Sequence, residues 1–315
     1  MNLVANEMMK LFKKPSTYIM ITMLVIIIIG VGGINKYMDS RNGSDNEAEN
    51  WRENLTQQIQ VNKEELAVTE EGNWRERLIE EITVAEYRLA HDLPPATEYN
   101  NWSFVNDMVG IISFISILTI VVASSIVANE FSTGTIKLLL IRPVSRVKVL
   151  FSKYISVLLF SLILIVLSFV VSLIIGAVLF GFSDVGPQLL YNDGQVMEQS
   201  QIWYAFVTFL LNSVSLLMLT TMAFMISTVF RNSSLAIGIS IFLLLMGGNL
   251  SFILAGYFDW AKYILFNNLD LISYYNGTPL IEGMTLSFSL LTLLAYFLIF
   301  HIVSFLFFTK RDVRA

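Results

Sequence analysis

The sequence predicts an all-α polytopic membrane protein: six transmembrane helices with an N-terminal interface helix, a short cytoplasmic helix and an extracellular helical hairpin. Three observations carry that expectation. Of the 315 residues, 55% are hydrophobic and only 14% are charged, where a soluble domain carries about 45–50% and about 25%. The apolar residues are gathered into blocks near or above the ~18–20 residues needed to cross a bilayer. The charges are swept into the gaps, and their sign alternates from gap to gap.

The opening stretch 1–14 reads as a basic amphipathic helix lying in the membrane interface. Leu3, Val4, Met8, Leu11 and Phe12 share one face, and Asn2, Asn6, Lys10 and Lys13 the other. Glu7, Lys10, Lys13 and Lys14 are its charged groups, and Pro15 ends it. Spans follow at 18–34, 108–128, 155–180, 202–229, 235–256 and 286–308. The first begins after a basic stretch, as a signal peptide does, but no small-x-small cleavage site follows, so an uncleaved signal anchor is expected.

Sidedness follows from the loops. Lys10, Lys13 and Lys14 face Glu7 alone before span one, and Lys137, Arg142, Arg146, Lys148 and Lys153 face Glu130 alone between spans two and three. Arg231, and Lys310, Arg311 and Arg314 against Asp312 in the tail 309–315, continue the series. The alternate loops are acidic. In the first, Lys36, Arg41, Arg52, Lys63, Arg75, Arg77 and Arg88 are outnumbered by acids running from Asp39 to Glu98; the second has Asp184, Asp193 and Glu198 with no base, and the third Asp259, Asp270 and Glu282 against Lys262. Basic loops stay in the cytoplasm, so both termini are expected there, in the cell membrane. Only Asp107, at the outer edge of span two, is left near hydrocarbon, and His301 is expected to be a packed or interfacial histidine.

The outer domain 36–104 contains an internal echo, Asn50-Trp51-Arg52-Glu53-Asn54-Leu55 and Asn73-Trp74-Arg75-Glu76-Arg77-Leu78. Each opens a helical stripe: Trp51, Leu55, Ile59 and Leu66 in one, Trp74, Leu78, Ile82, Ala85 and Leu89 in the other. Two such stripes bury each other as an antiparallel hairpin, with the break at Glu70-Glu71-Gly72-Asn73. The hairpin serves either as a solvated fold element or as a contact surface for a substrate or outer partner; no residue type selects a ligand.

The inner loop 129–146 runs ANEFSTGTIKLLLIRPVSR from Ala128. Ser132 or Thr133 can cap a short helix whose Ile136, Leu139 and Leu140 form an apolar edge; Pro143 stops it, and Ser145 can cap the helix that leads into span three. Asn212, Ser215 and Asn249, inside spans four and five, hydrogen-bond between helices or line a translocation surface. The aromatic segment 257–285 is too interrupted to span and is expected to lie in, or dip into, the outer interface.

The run ANEFSTGTIKLLLIRPVSRVKVLFSKY resembles the coupling region of ABC (ATP-binding-cassette) type-2 transporter permeases, and NEMMKLFKKPSTYI resembles their interface helix and the start of their span one. The close match covers about 25 residues, and the span count extends the likeness over most of the chain. The resemblance implies an exporter half-pore that pairs with a second permease chain and with two copies of a separate ATPase subunit. It assigns coupling to Glu130, Ser132, Thr133, Gly134, Thr135, Ile136, Lys137, Leu139, Leu140, Arg142, Pro143, Ser145 and Arg146. Glu130 is expected to pair with Arg142 or Arg146.

The chain itself has no G-x-x-x-x-G-K-[ST] phosphate loop, so no enzymatic activity and no cofactor are expected. Without cysteine it has no disulfide or thiolate metal site, and no nucleic-acid partner is expected. Two other function classes compete: a secondary carrier, disfavoured by the scarcity of intramembrane charge, and a non-transporting receptor or scaffold that presents the hairpin.

Overall fold

A computed structural model describes residues 3–42, 50–70, 72–95, 99–133, 144–182, 186–192, 194–230, 232–277, 279, 281 and 283–310. Six helical segments are long and apolar enough to cross a membrane, at Pro15–Arg41, Asn101–Ser132, Arg146–Leu179, Gln201–Val229, Ser233–Ala255 and Leu286–Lys310. The chain is thus an all-α, six-helix, multi-pass membrane protein. Helix α1 (Leu3–Phe12) precedes α2 (Pro15–Asn42), whose first residue is a proline with the φ a helix start requires and no N–H to leave unpaired. Helices α3 (Trp51–Val68) and α4 (Asn73–Ala90) follow; α5 (Asn101–Asp107), a 3-10 turn at Met108–Gly110, α6 (Ile111–Ile126) and α7 (Ala128–Ser132) together make span two.

Span three is α8 (Arg146–Leu179). Its start at Arg146 places Lys153 inside the helix, where the sequence suggested a loop. Strands β1 (Gln188–Asn192) and β2 (Gln195–Gln199) pair antiparallel, an element the sequence reading lacked, and Gly194 at φ +81° turns the chain between them. Helices α9 (Gln201–Val229) and α10 (Ser233–Ala255), 3-10 turns at Asp259–Tyr263 and Leu265–Asn268, α11 (Ile272–Tyr275) and α12 (Leu286–Lys310) complete the chain.

Span two is the core. Within its most apolar window 72% of residues are buried, against 56% for span four and 17–28% for the other four. Hydroxyls join it to its neighbours: Thr220 donates to Thr119 at 3.2 Å, and Ser124 to Ser240 at 3.0 Å. Where the helix is interrupted at Val127, the Ala128 N–H donates to Ser227 Oγ at 3.1 Å. In an apolar surrounding such donors must find partners, and serine and threonine supply them at little volume.

Between spans one and two stands the helical hairpin. Trp51, Leu55, Ile59, Ile82 and Ala85 form a separate core, flanked by Leu66 and Leu89. Asn62 to Glu81 at 3.0 Å, Lys63 to Glu86 at 2.7 Å, and Arg52 to Asp92 tie α3 and α4 in antiparallel order. Trp74 departs from the expected stripe: it is 51% exposed and donates its indole N–H to Glu65 at 3.1 Å, so Leu78 begins the buried face instead.

The segment after span five folds back on the bundle. Asn267 donates to Ser251 O and Ala261 O, and Asn268 to Lys262 O and Ile264 O, while Ser289 donates to Asn268 Oδ1. The Phe266 ring sits so close to Gly247 that a Cβ there would lie 2.4 Å from it, which explains glycine at that position. Gly277, at φ +81°, would likewise place a Cβ 2.3 Å from Tyr191 O of β1.

A buried ion cluster as candidate functional site

Lys153 lies in the third turn of α8, on the face that carries buried Val149, Leu150 and Val157. Ser145 starts that helix by accepting the Lys148 N–H, and Arg146 Nη1 donates to Thr309 O of α12 at 3.2 Å, which fixes where the turn sits. The lysine is 1% exposed, so its ammonium must be neutralised within the protein. Two carboxylates do so: Glu7 Oε2 of α1 at 2.7 Å and Glu130 Oε1 of α7 at 2.5 Å. Lys10 closes on the other Glu7 oxygen at 2.5 Å from a half-exposed position.

Burial raises the Glu7 pKa, but the Lys153 charge and the hydrogen bonds from Lys10 and Lys153 outweigh it and hold the carboxyl below its ordinary value. Glu130 Oε2 is buried and has no hydrogen-bond partner among the described residues. Leaving such an acceptor unmet costs about 1–3 kcal/mol, more for a charged group.

One ammonium therefore gathers three segments far apart in sequence. The buried face of α1 is centred on Glu7 and Leu11; Ser156 of α8 donates to Val4 O at 3.3 Å, and Phe12 meets Phe160 edge-on at 6.3 Å. Helix α1 is thus packed on span three by a charge as well as by apolar contact.

Glu130 pairs with Lys153, a partner the sequence did not suggest beside Arg142 or Arg146. Arg142 falls outside the described residues, as do Gly134, Thr135, Ile136, Lys137, Leu139, Leu140 and Pro143 of the short inner helix expected there. Ser132 and Thr133 both donate back to Asn129 O, at 3.1 and 2.6 Å. Lys13 and Lys14 are exposed.

Each of the three polar residues expected to bond between helices or line a translocation surface bonds a backbone carbonyl. Asn212 donates to Thr208 O of its own helix, Ser215 to Leu269 O of the return segment, and the exposed Asn249 to Leu245 O. His301 is packed: its ring bonds Phe297 O and meets Tyr154 edge-on at 4.6 Å. Sequence reasoning missed Lys153 as a site residue because its span-three boundary began two residues later. The signal was there, since valines four residues to either side place this lysine on an apolar helix face.

Among the described residues no cluster fit for a metal ion occurs, and two hydroxyl pairs, Thr220 with Thr119 and Ser124 with Ser240, link helices within the core. Fold and cluster define a polytopic membrane protein with a buried ion cluster at one end of its bundle. Residues 73–314 match the family described as protein of unknown function DUF2705, and the chain belongs to that family. It is similar to the uncharacterized protein YhcI of Bacillus subtilis strain 168, 44% identical over 316 residues and 99% of both chains. It is also similar to the uncharacterized membrane protein YdbK of the same organism, 36% identical over 202 residues, 62% of this chain and 77% of that one.

Proposed function

We propose that this chain is the membrane-spanning permease subunit of an ABC transporter of the type-2 exporter class, working with a second permease chain and two copies of a separate ATPase, in the cell membrane with both termini in the cytoplasm. The observation that carries the reading is the Lys153 cluster. It ties the N-terminal helix and the end of span two to span three, on the two sides of segment 134–143, whose sequence resembles a coupling helix. A push on that segment reaches the core span through Glu130.

The position of the charges supports this reading over an ion-coupled carrier. A carrier retains ionisable groups near mid-membrane, whereas Glu7, Glu130 and Lys153 stand together at one end of the bundle, where α7 ends and α8 begins. Orientation rests on the loop charges.

The test uses the absence of native cysteine. A cysteine at Thr135 or Lys137 is expected to crosslink to cysteines in the membrane-facing groove of the partner ATPase, and one at Gly72 is not. Glu130→Lys should uncouple transport from ATP hydrolysis while the chain stays in the membrane. Absence of any crosslink, together with full transport by Glu130→Lys, would refute the assignment.

A further inference from the structure

At the end of the bundle opposite Lys153, a cavity of about 450 Å³ opens between α4, α5, β1 and the first turns of α9. That volume is within the range of small-molecule sites, roughly 300–1,000 Å³. Arg88, Asn106, Asp107, Gln201 and Tyr204 are among its polar lining residues. A second cavity of about 580 Å³ beneath the hairpin shares Arg88, Gln188 and Tyr204 with it, so Arg88 stands between the two.

The lining groups have hydrogen-bonding capacity to spare. Arg88 donates to Pro94 O at 3.3 Å and forms no ion pair among the described residues, while burial lowers its pKa. Asp107 takes the Tyr99 hydroxyl on Oδ2 and forms no ion pair there either. Asn106 gives its Nδ2 to Gln201 Oε1 at 3.4 Å, but its Oδ1 is buried with no partner among the described residues. A guanidinium and a carboxylate thus line one recess without neutralising each other, beside an acceptor that lacks a donor. A neutral ligand, or one of a single sign, would leave at least one of these groups desolvated and unmatched, which is unfavourable for binding.

We infer that this cavity binds a zwitterionic ligand, with a primary ammonium against Asn106 and Asp107 and an anionic oxygen group against Arg88. A quaternary ammonium has no N–H for Asn106 Oδ1 and fits less well. Two sources offer the shared chemistry: the backbone termini of a short peptide, or the headgroup of an ethanolamine phospholipid at the bilayer surface. The inference stands apart from the transport proposal, since binding can be read without any ATPase.

Two measurements on the purified full-length protein test it. Trialanine is titrated by calorimetry, with N-acetyl-trialanine amide as the uncharged control. In parallel, the protein is reconstituted in equal amounts of phosphatidylethanolamine and phosphatidylcholine, and retained lipid is read by native mass spectrometry. Trialanine binding at least about tenfold tighter than its capped form identifies a peptide source, and selective retention of the ethanolamine lipid identifies a headgroup; either supports the inference. Arg88→Gln and Asp107→Asn should each weaken the positive interaction about tenfold, as expected for a lost charge-assisted hydrogen bond, and Arg88→Lys should weaken it less. Preference for neither charged probe overturns the site, and so does wild-type binding by both charge-removing variants. Should a variant fail to fold, the comparison of charged and capped probes on the wild type still decides.

Discussion

Two regions of this protein use the same ion-pair chemistry in opposite surroundings. On the helical hairpin, Lys63 meets Glu86 with both side chains about half exposed, and Arg52 meets Asp92 with both exposed further. At the other end of the bundle Lys153 meets Glu7 and Glu130 where water is excluded. An exposed pair gains little because water competes for both partners and fixing long side chains costs entropy; about 0–1 kcal/mol is typical. A buried pair is costly to assemble but far costlier to break, since the remaining partner is left as an uncompensated charge. The hairpin can therefore trade its charges freely, while the buried cluster behaves as one unit in which no member can be removed alone.

Three substitutions or conditions sharpen that contrast, and the largest effect belongs to Lys153→Met. It leaves buried Glu130 without a cation and Glu7 with only half-exposed Lys10, and should destabilise the protein by about 3–5 kcal/mol, read by denaturant unfolding in detergent. The triple variant Lys153→Met, Glu7→Gln, Glu130→Gln should recover much of that loss; no recovery would mean that packing, not charge, governs the cluster.

Acid should have an intermediate effect. The Glu7 carboxyl is held below its ordinary value of 4.5, so its contribution is fully present above that pH and is lost as pH falls through the depressed value. Proteolysis or a spin label on α1 should show the helix loosening from α8 below about pH 4.5, and Glu7→Gln should abolish the transition. The smallest effect is expected for Lys63→Ala, within about 1 kcal/mol. A larger loss in thermal unfolding of the hairpin would show that its surface pairs act as a network.

Much of the fold was legible because a bilayer restricts what a chain can do. Blocks of apolar residues and alternating loop charge leave few arrangements, and the six helices follow from them. The hairpin was legible for a similar reason: Leu55, Ile59, Ile82 and Ala85 recur at helical spacing and have only each other to bury against. Trp74 misled because an indole can satisfy itself on the surface, with its N–H on Glu65.

The candidate site was only half legible. Glu7 and Glu130 stood out as acids among bases, yet the partner that unites them could not be chosen from loop residues by sign alone. Lys153 is more than a hundred residues from Glu7, and their meeting depends on α1 lying along α8. The two-stranded hairpin 188–199 escaped notice because its strands are short and mixed in polarity.

Span two carries a mechanical consequence. Its regular winding is interrupted near one end by the tight turn at Met108–Gly110 and near the other at Val127, with the buried helix α6 as a rigid shaft between. Each interruption breaks the regular helical hydrogen-bond ladder, so span two is expected to bend there before it bends within α6. Asn106 and Asp107 lie beyond one joint and Glu130 beyond the other. The cavity lined by Asn106 and Asp107 and the charge cluster at Glu130 are thus each joined to the buried helix α6 across such a point.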